Sequence, residues 1–358
     1  MSFRPEILQL SHAYGQPAYV RGGGGNTSCK DDTTLWIKKS GTSLRDINEA
    51  GFVALERTAL DQLLSDTPPP DPTAREKWVK EHMQEAVMPE SPPGRPSVEA
   101  PLHHTFSATF VVHTHPALVN GVTCAVHGKQ AVEGLFPDVL WIPYVDPGYS
   151  LCRHVSEAID EYKERKGTEP NVVFLQNHGV FVAGDSVQEI ESCYERIMTT
   201  LAEKYEAAGF DTAPGSVDEV SEAEKERILA LCRESMGDDQ VKHIAGHTGY
   251  TPFHGPLSPD HVVYAKPYPL FGDPTRENVQ AYESRNGFQP KVFVTDRGIF
   301  GAGATNQDAE LACEFALEGG FVEYLTELFG GPRYMSTREY LFIENWEVEA
   351  YRRQVTQG

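Results

Sequence analysis

The stretch NVVFLQNHGVFVAG, residues 171–184, reads as two apolar runs separated by the turn-prone sequence QNHG. Val, Phe and Leu in close succession suit a buried pleated surface, while Asn, His and Gly suit a tight reversal. The expected element is strand, turn, strand, with His178 at a sheet end where its side chain can project into a cleft. A second stretch, PKVFVTDRGIFGAG at 290–303, repeats Val, Phe, Gly, Phe, Ala and Gly in step, and each is followed by a helical pattern. Self-similarity of this kind predicts a duplicated strand–turn–strand–helix unit, the alternative being a chance likeness of two β-rich hairpins. Arg297 takes the place of His178 in that register, so the copy lacks whatever chemistry the histidine supplies.

Upstream of His178, the run VVHTHPA at 111–117 places His113 and His115 two apart and ends at Pro116. Residues i and i+2 of a strand share a face, about 6.5–7 Å apart at the backbone, so two imidazoles can converge on one ion. His178 is the third candidate. Three neutral nitrogen donors with an open fourth position are what a catalytic zinc centre requires, whereas a lone HxH pair more often marks core histidines.

Other ionisable groups surround this set. RPSVEAPLHH, 95–104, carries Glu99 between a proline-ended loop and an expected helix, as a surface carboxylate or as a first-turn residue favoured by the helix dipole. His103 and His104 are alternative ligands, but adjacent helical residues point about 100° apart, so at most one can face a common site. His243 and His247 in HIAGHTGY have helical i, i+4 spacing without the glutamate of a zinc protease helix, and are expected to be structural or exposed. GIFGAGATN, 298–306, matches a dinucleotide fingerprint only loosely, since Asn306 stands at the third glycine position; duplication accounts for it more simply.

Near the N-terminus, GGGGNTS at 22–28 sets the most permissive backbone beside Asn26, Thr27 and Ser28. It is either a flexible surface linker or an anion cradle, in which glycines let backbone N–H groups approach a phosphate. Lys38 and Lys39 can steer anions towards it or simply be solvated charge.

Bulk properties narrow the partners. With 358 residues, two domains are expected. A net charge of -21 should repel nucleic acid and anionic membranes, leaving a small molecule as the expected partner. The six cysteines are widely spaced with no CxxC pair, and the N-terminus has neither a basic nor an apolar leader segment, so a cytoplasmic location is expected. TPPPDP and PESPPGRPS bracket the helical stretch TAREKWVKEHMQEAV, and DTAPGSVDEVSEAEKER at 211–227 opens a second block.

The series GGGGNTS, KKSG, PSVE, HTHP and QNHG, in that order, resembles the class II aldolase/adducin family. The resemblance implies a three-layer α/β/α fold around a mostly antiparallel sheet over residues 1–212, with a smaller α/β domain over 213–358 that is a degenerate repeat without a metal site. It implies zinc held by His113, His115 and His178, Glu99 as catalytic acid/base, and a phosphate pocket formed by Asn26, Ser40, Gly41 and Ser97. The glycine run is then the cradle. LSPDHVVYAKPYPLFGD and FIENWEVEAYRRQV are similar to the middle of bifunctional rhamnulose-1-phosphate aldolase/alcohol dehydrogenases, without their dehydrogenase domain. The implied activity is zinc-dependent cleavage of a ketose 1-phosphate, such as rhamnulose 1-phosphate, into dihydroxyacetone phosphate and an aldehyde, by a homo-oligomer. Decarboxylation or 4-epimerisation of a phosphorylated sugar, and a non-enzymatic adducin-like interaction role, are the alternatives. The family's proton-donating tyrosine has no match between His115 and Pro143, which leaves Tyr144 and Tyr149 as substitutes, and Gly23 replaces a phosphate-binding threonine.

Overall fold

A computed structural model describes residues 4–213, 215, 217–249 and 251–346. Of the stretches quoted above, 214, 216, 250 and 347–355 lie outside the described residues. The chain divides into two compact units, one comprising the chain up to Val119 with Lys129–Leu201, the other Asn120–Gly128 with the chain from Ala202 onward.

The first part of the chain runs α1 (Glu6–Tyr14), β1 (Asn26–Lys30), β2 (Thr34–Lys38), β3 (Phe52–Glu56), α2 (Arg57–Ser65), α3 (Pro72–Glu85), α4 (Ala100–Thr105) and β4 (Phe110–Thr114). It continues through α5 (Ala117–Thr123), α6 (Gly128–Leu135), β5 (Leu140–Ile142), α7 (Tyr149–Lys166), β6 (Val172–Leu175), β7 (Gly179–Gly184) and α8 (Val187–Ala207). Seven strands form one sheet in the order β3-β2-β1-β4-β7-β6-β5, antiparallel throughout except for the β5/β6 pair.

Local chemistry fixes the strand ends. Asp31 Oδ1 accepts from the backbone N–H groups of Thr33 and Thr34, both at 2.9 Å, and this side-chain turn reverses the chain between β1 and β2. β4 is buried along its whole length because it lies mid-sheet with helices on both sides. On one side, Ser11 of α1 meets Thr27 and Tyr194 of α8 meets Thr114, each hydroxyl pair at 2.7 Å. On the other, Leu102 of α4 and Leu151, Val155 and Ile159 of α7 pack on Val111, Val173 and Phe181, while α2 and α3 cover Leu35, Ile37, Val53 and Leu55. Each such apolar side chain contributes about 1.5–3 kcal/mol on burial. The expected three-layer arrangement with a mostly antiparallel sheet is what the first unit shows.

The second part contains β8 (Asp218–Glu219), α9 (Glu222–Met236), β9 (His243–Thr248), α10 (Pro259–Ala265), β10 (Leu270–Phe271), α11 (Arg276–Asn286), β11 (Val292–Val294), β12 (Ile299–Gly303), α12 (Asn306–Thr326) and α13 (Thr337–Asn345). Its sheet order is β10-β11-β12-β9-β8, with only β10/β11 parallel. Strand for strand and sense for sense, this repeats β5-β6-β7-β4-β1 of the first unit. His243 and His247 therefore sit on a strand, not on a helix turn, because pairing with β12 overrides their local spacing.

Register makes the comparison residue-specific. Phe181 of β7 lies opposite His113, and Phe300, its equivalent in β12, lies opposite Gly246. The three candidate ligand positions thus fall on Gly246, Thr248 and Arg297 in the second unit. A Cβ on Gly246 would meet the Phe300 ring at 2.6 Å and Val220 at 2.8 Å, so the volume a side chain would need is already filled. Arg297 instead donates to Glu224 Oε2 at 3.0 Å. No helix among the described residues is long and apolar enough to cross a membrane.

Candidate active site

Strand geometry delivers the first two imidazoles. His113 and His115 flank Thr114, whose hydroxyl points to the opposite face and meets Tyr194, so the two rings share the other face. The turn between β6 and β7 brings in His178, with Asn177 before it in the left-handed region at φ 53, a conformation asparagine tolerates better than most residues. His115 Nε2 lies 2.9 Å from His113 Nε2, which lies 3.4 Å from His178 Nε2. All three of these nitrogen atoms fall within 4.8 Å of one another.

The hydrogen bonding of His113 tests whether this set suits a cation. Its Nδ1 is 3.0 Å from the carbonyl oxygen of Val180, which can only accept, so Nδ1 carries the proton and Nε2 presents a bare lone pair. A lone pair aimed at two further ring nitrogens needs a proton or a cation between them. One proton can bridge one pair, whereas a divalent cation satisfies all three, and three neutral imidazoles are the donor set of an open zinc centre. The residues fit a metal.

Glu99 completes the cluster. Its Oε1 stands 3.6 Å from His113 Nε2 and 3.7 Å from His178 Nε2, and the side chain is buried. Asn26 Nδ2 donates to its other oxygen, Oε2. Glu99 sits at the N-cap of α4, and the alternating residues of β1 that face α4 hold that helix along its length. Asn26 bonds Glu99, Ser28 Oγ meets His103 Nδ1 at 2.8 Å, and Lys30 Nζ donates to the carbonyls of His103 and Phe106, both at 2.6 Å. Burial, with a smaller contribution from Arg57, pulls the Lys30 ammonium down to about 7. Burial likewise holds the His103 ring well below the usual imidazole range. His104 turns away to Asp61, with Nε2 2.8 Å from Oδ1, so neither histidine of the pair joins the cluster.

The stretches expected to form the cradle meet around Lys38. Its Nζ donates to Gly23 O in the glycine run at 3.1 Å and to Thr42 O, just beyond Ser40 and Gly41, at 2.7 Å. Its carbonyl accepts from Ser97 N at 3.1 Å, and Ser40 N donates to Arg95 O at 3.0 Å. Lys38 is buried rather than solvated. The backbone is tight here: Gly25 has φ 67, and a Cβ on it would stand 2.8 Å from His113 O. Thus Asn26, Ser97 and Glu99 are buried near the imidazoles' strand, with Ser40 and Gly41 half-buried at the turn after β2.

The two substitute tyrosines separate. Tyr149 is a core residue of α7 whose hydroxyl donates to Leu63 O at 3.1 Å. Tyr144 N donates to Gln176 Oε1 at 3.1 Å, which ties its segment to the turn carrying His178. Neither the Asn26–Glu99 bond nor the burial of Lys30 and Lys38 follows from the sequence motifs; the clue available was the alternation of Asn26, Ser28 and Lys30 along one strand.

A family model described as "Class II Aldolase and Adducin N-terminal domain" matches residues 5–202. The chain is 25% identical over 302 residues to the "Uncharacterized oxidoreductase YuxG" of Bacillus subtilis (strain 168), a match covering 75% of this chain but 42% of that protein, so the match spans less than half of its relative's length. Among solved structures, the N-terminal class II aldolase domain of a conserved Thermoplasma acidophilum protein shares 24% identity at a TM-score of 0.47, over 57% of this chain and 95% of that one. An L-fuculose 1-phosphate aldolase shares 16% identity at a TM-score of 0.40, over 63% and 95% of the two chains.

Proposed function

Since the chain belongs to the class II aldolase and adducin family, we propose that it is a zinc-dependent lyase cleaving a ketose 1-phosphate, such as rhamnulose 1-phosphate, into dihydroxyacetone phosphate and an aldehyde. The observation that carries this reading is the convergence of His113, His115 and His178 within 4.8 Å, with the buried Glu99 carboxylate alongside. The chemistry is assigned to residues 1–212, and residues 213–358 are assigned no metal.

When bound, a divalent cation would polarise the ketose carbonyl and offset the negative charge that develops as the carbon–carbon bond breaks. The protein's own groups account for the rest. His113, fixed in one tautomer by Val180, and its two neighbours would hold the ion. Glu99 moves the proton to or from the reacting carbon, and Asn26 keeps one carboxylate oxygen engaged so that the other faces the reaction. Backbone and hydroxyl groups of the glycine run, Ser40, Gly41 and Ser97 grip the phosphate, with Lys38 joining these loops and adding positive charge behind them. Gripping the far end converts binding energy into placement of the reacting carbon.

Metal analysis of the purified protein, combined with a screen of ketose 1-phosphates for release of dihydroxyacetone phosphate, tests the proposal. One equivalent of zinc and release from at least one ketose are expected, and His113→Ala should abolish both. A pure protein that takes up no divalent metal, or a zinc-loaded one that cleaves no ketose phosphate, refutes it.

A further inference from the structure

Helix α4 has six residues, fewer than two turns, and an isolated helix of that length does not hold together in water. Its last carbonyls have no partners within the helix and need donors from elsewhere. Thr105 Oγ1 donates to Leu102 O at 2.7 Å, and the carbonyls of His103 and Phe106 both accept from Lys30 Nζ. Lys30 is buried, and its amine is the donor that both of these carbonyls find. At the other end of the helix stands Glu99, with Oε1 close to two imidazoles. Strand β1 therefore grips α4 twice, at Glu99 through Asn26 and at the last turn through Lys30, four residues further along the same face.

We infer that Lys30 is a positioning residue which, by clamping the end of α4, holds the Glu99 carboxylate against the imidazole cluster. The inference rests on the metal reading proposed above. Lys30 touches neither ion nor substrate, and acts only through the helix it caps. Removing the amine leaves two buried carbonyls unsatisfied and frees the last turn, so α4 can tilt and carry its N-cap residue with it. Arginine keeps the donors, whereas methionine keeps only the length.

The test is a double-mutant cycle read as cobalt(II) affinity by chelator competition, with the visible spectrum of the bound cobalt as a second readout. A carboxylate beside the cation strengthens its binding, so Glu99→Gln is expected to weaken cobalt affinity about tenfold. Lys30→Met should weaken it similarly and alter the cobalt spectrum, and Lys30→Arg should recover most of the loss. In the Glu99→Gln background, Lys30→Met should cost less than a further twofold, because the group through which it acts is already gone. If Lys30→Met does not fold, Lys30→Gln replaces it in the cycle. Additive losses, or an unchanged affinity in the lysine variants, overturn the inference, as does a Glu99→Gln variant with wild-type affinity. Wild-type protein that takes up no cobalt refutes the metal reading itself, which separates the two failures.

Discussion

The imidazole of His113 lies flat on the ring of Phe181, with centroids 3.9 Å apart and planes 9° from parallel. The two residues are opposite each other across β4 and β7, and Phe181 also contacts His103 and Phe106. A ligand ring held on one side by an aromatic face and at Nδ1 by a carbonyl has little freedom left to turn. Phe181→Ala is expected to cost about 3–5 kcal/mol in denaturant unfolding. It should also weaken zinc binding at least tenfold in a chelator competition, while Phe181→Leu keeps most of both.

Glu99→Gln preserves the size and the hydrogen bond to Asn26 but removes the group able to exchange a proton. The variant should fold and take up zinc at saturating concentration, and turnover should drop about 10²–10⁴-fold. Full activity in coupled assays of dihydroxyacetone phosphate release would remove Glu99 from its proposed role.

Gly25→Ala meets two obstacles, a left-handed backbone that costs about 1–2 kcal/mol for a residue with a Cβ, and the carbonyl of His113 in the way. The glycine run should then shift away from β4. Weaker binding of inorganic phosphate in calorimetry and a lower melting temperature are expected together.

Lys30 makes stability depend on pH in a definite direction. Its pKa falls from 10.5 in the unfolded chain to about 7 in the folded one, against the opposing influence of Glu169, Cys29 and Asp185. Between those values the unfolded chain holds a proton that the folded protein has released, so this residue's contribution to stability rises with pH across the window. Below about pH 7 both states are protonated and the contribution is flat. Lys30→Arg does not titrate in this range, so urea unfolding of wild type minus variant should show a difference that grows from pH 7 towards pH 10.

Removing the metal should lower stability by mass action alone. A ligand that binds only the folded state adds about 2.7 kcal/mol at one hundred times its dissociation constant. The melting temperature should therefore fall on chelation and climb steadily with added zinc in the wild type, with no response in His178→Ala.

Much of this was legible in the linear sequence because the informative residues are neighbours. Two histidines two apart in an apolar run, and a third on a glycine turn, disclose their shared direction through strand periodicity alone. The repeat was readable for the same reason, since Phe174, Phe181 and Ala183 have counterparts at Phe293, Phe300 and Ala302 within one short window. Lys38 was not readable. A lysine at the end of an apolar strand looks solvated, and only the meeting of its own turn with the loops at Gly23 and Ser97 explains its burial. The bond from Asn26 to Glu99 was not readable either, since it spans 73 residues and depends on how α4 lies on the sheet. HIAGHT was expected to be structural or exposed, but its strand was not legible, because strand pairing, which is not local, decided its conformation.

The packing around Gly246 ties two positions together. With the Phe300 ring pressed against that backbone, no single substitution can place an imidazole at the position equivalent to His113: a histidine at 246 has no room until the ring shrinks, and shrinking the ring alone opens a void. Each change is harmful without the other. Two coupled changes, not one, therefore separate the equivalent positions of the two sheets.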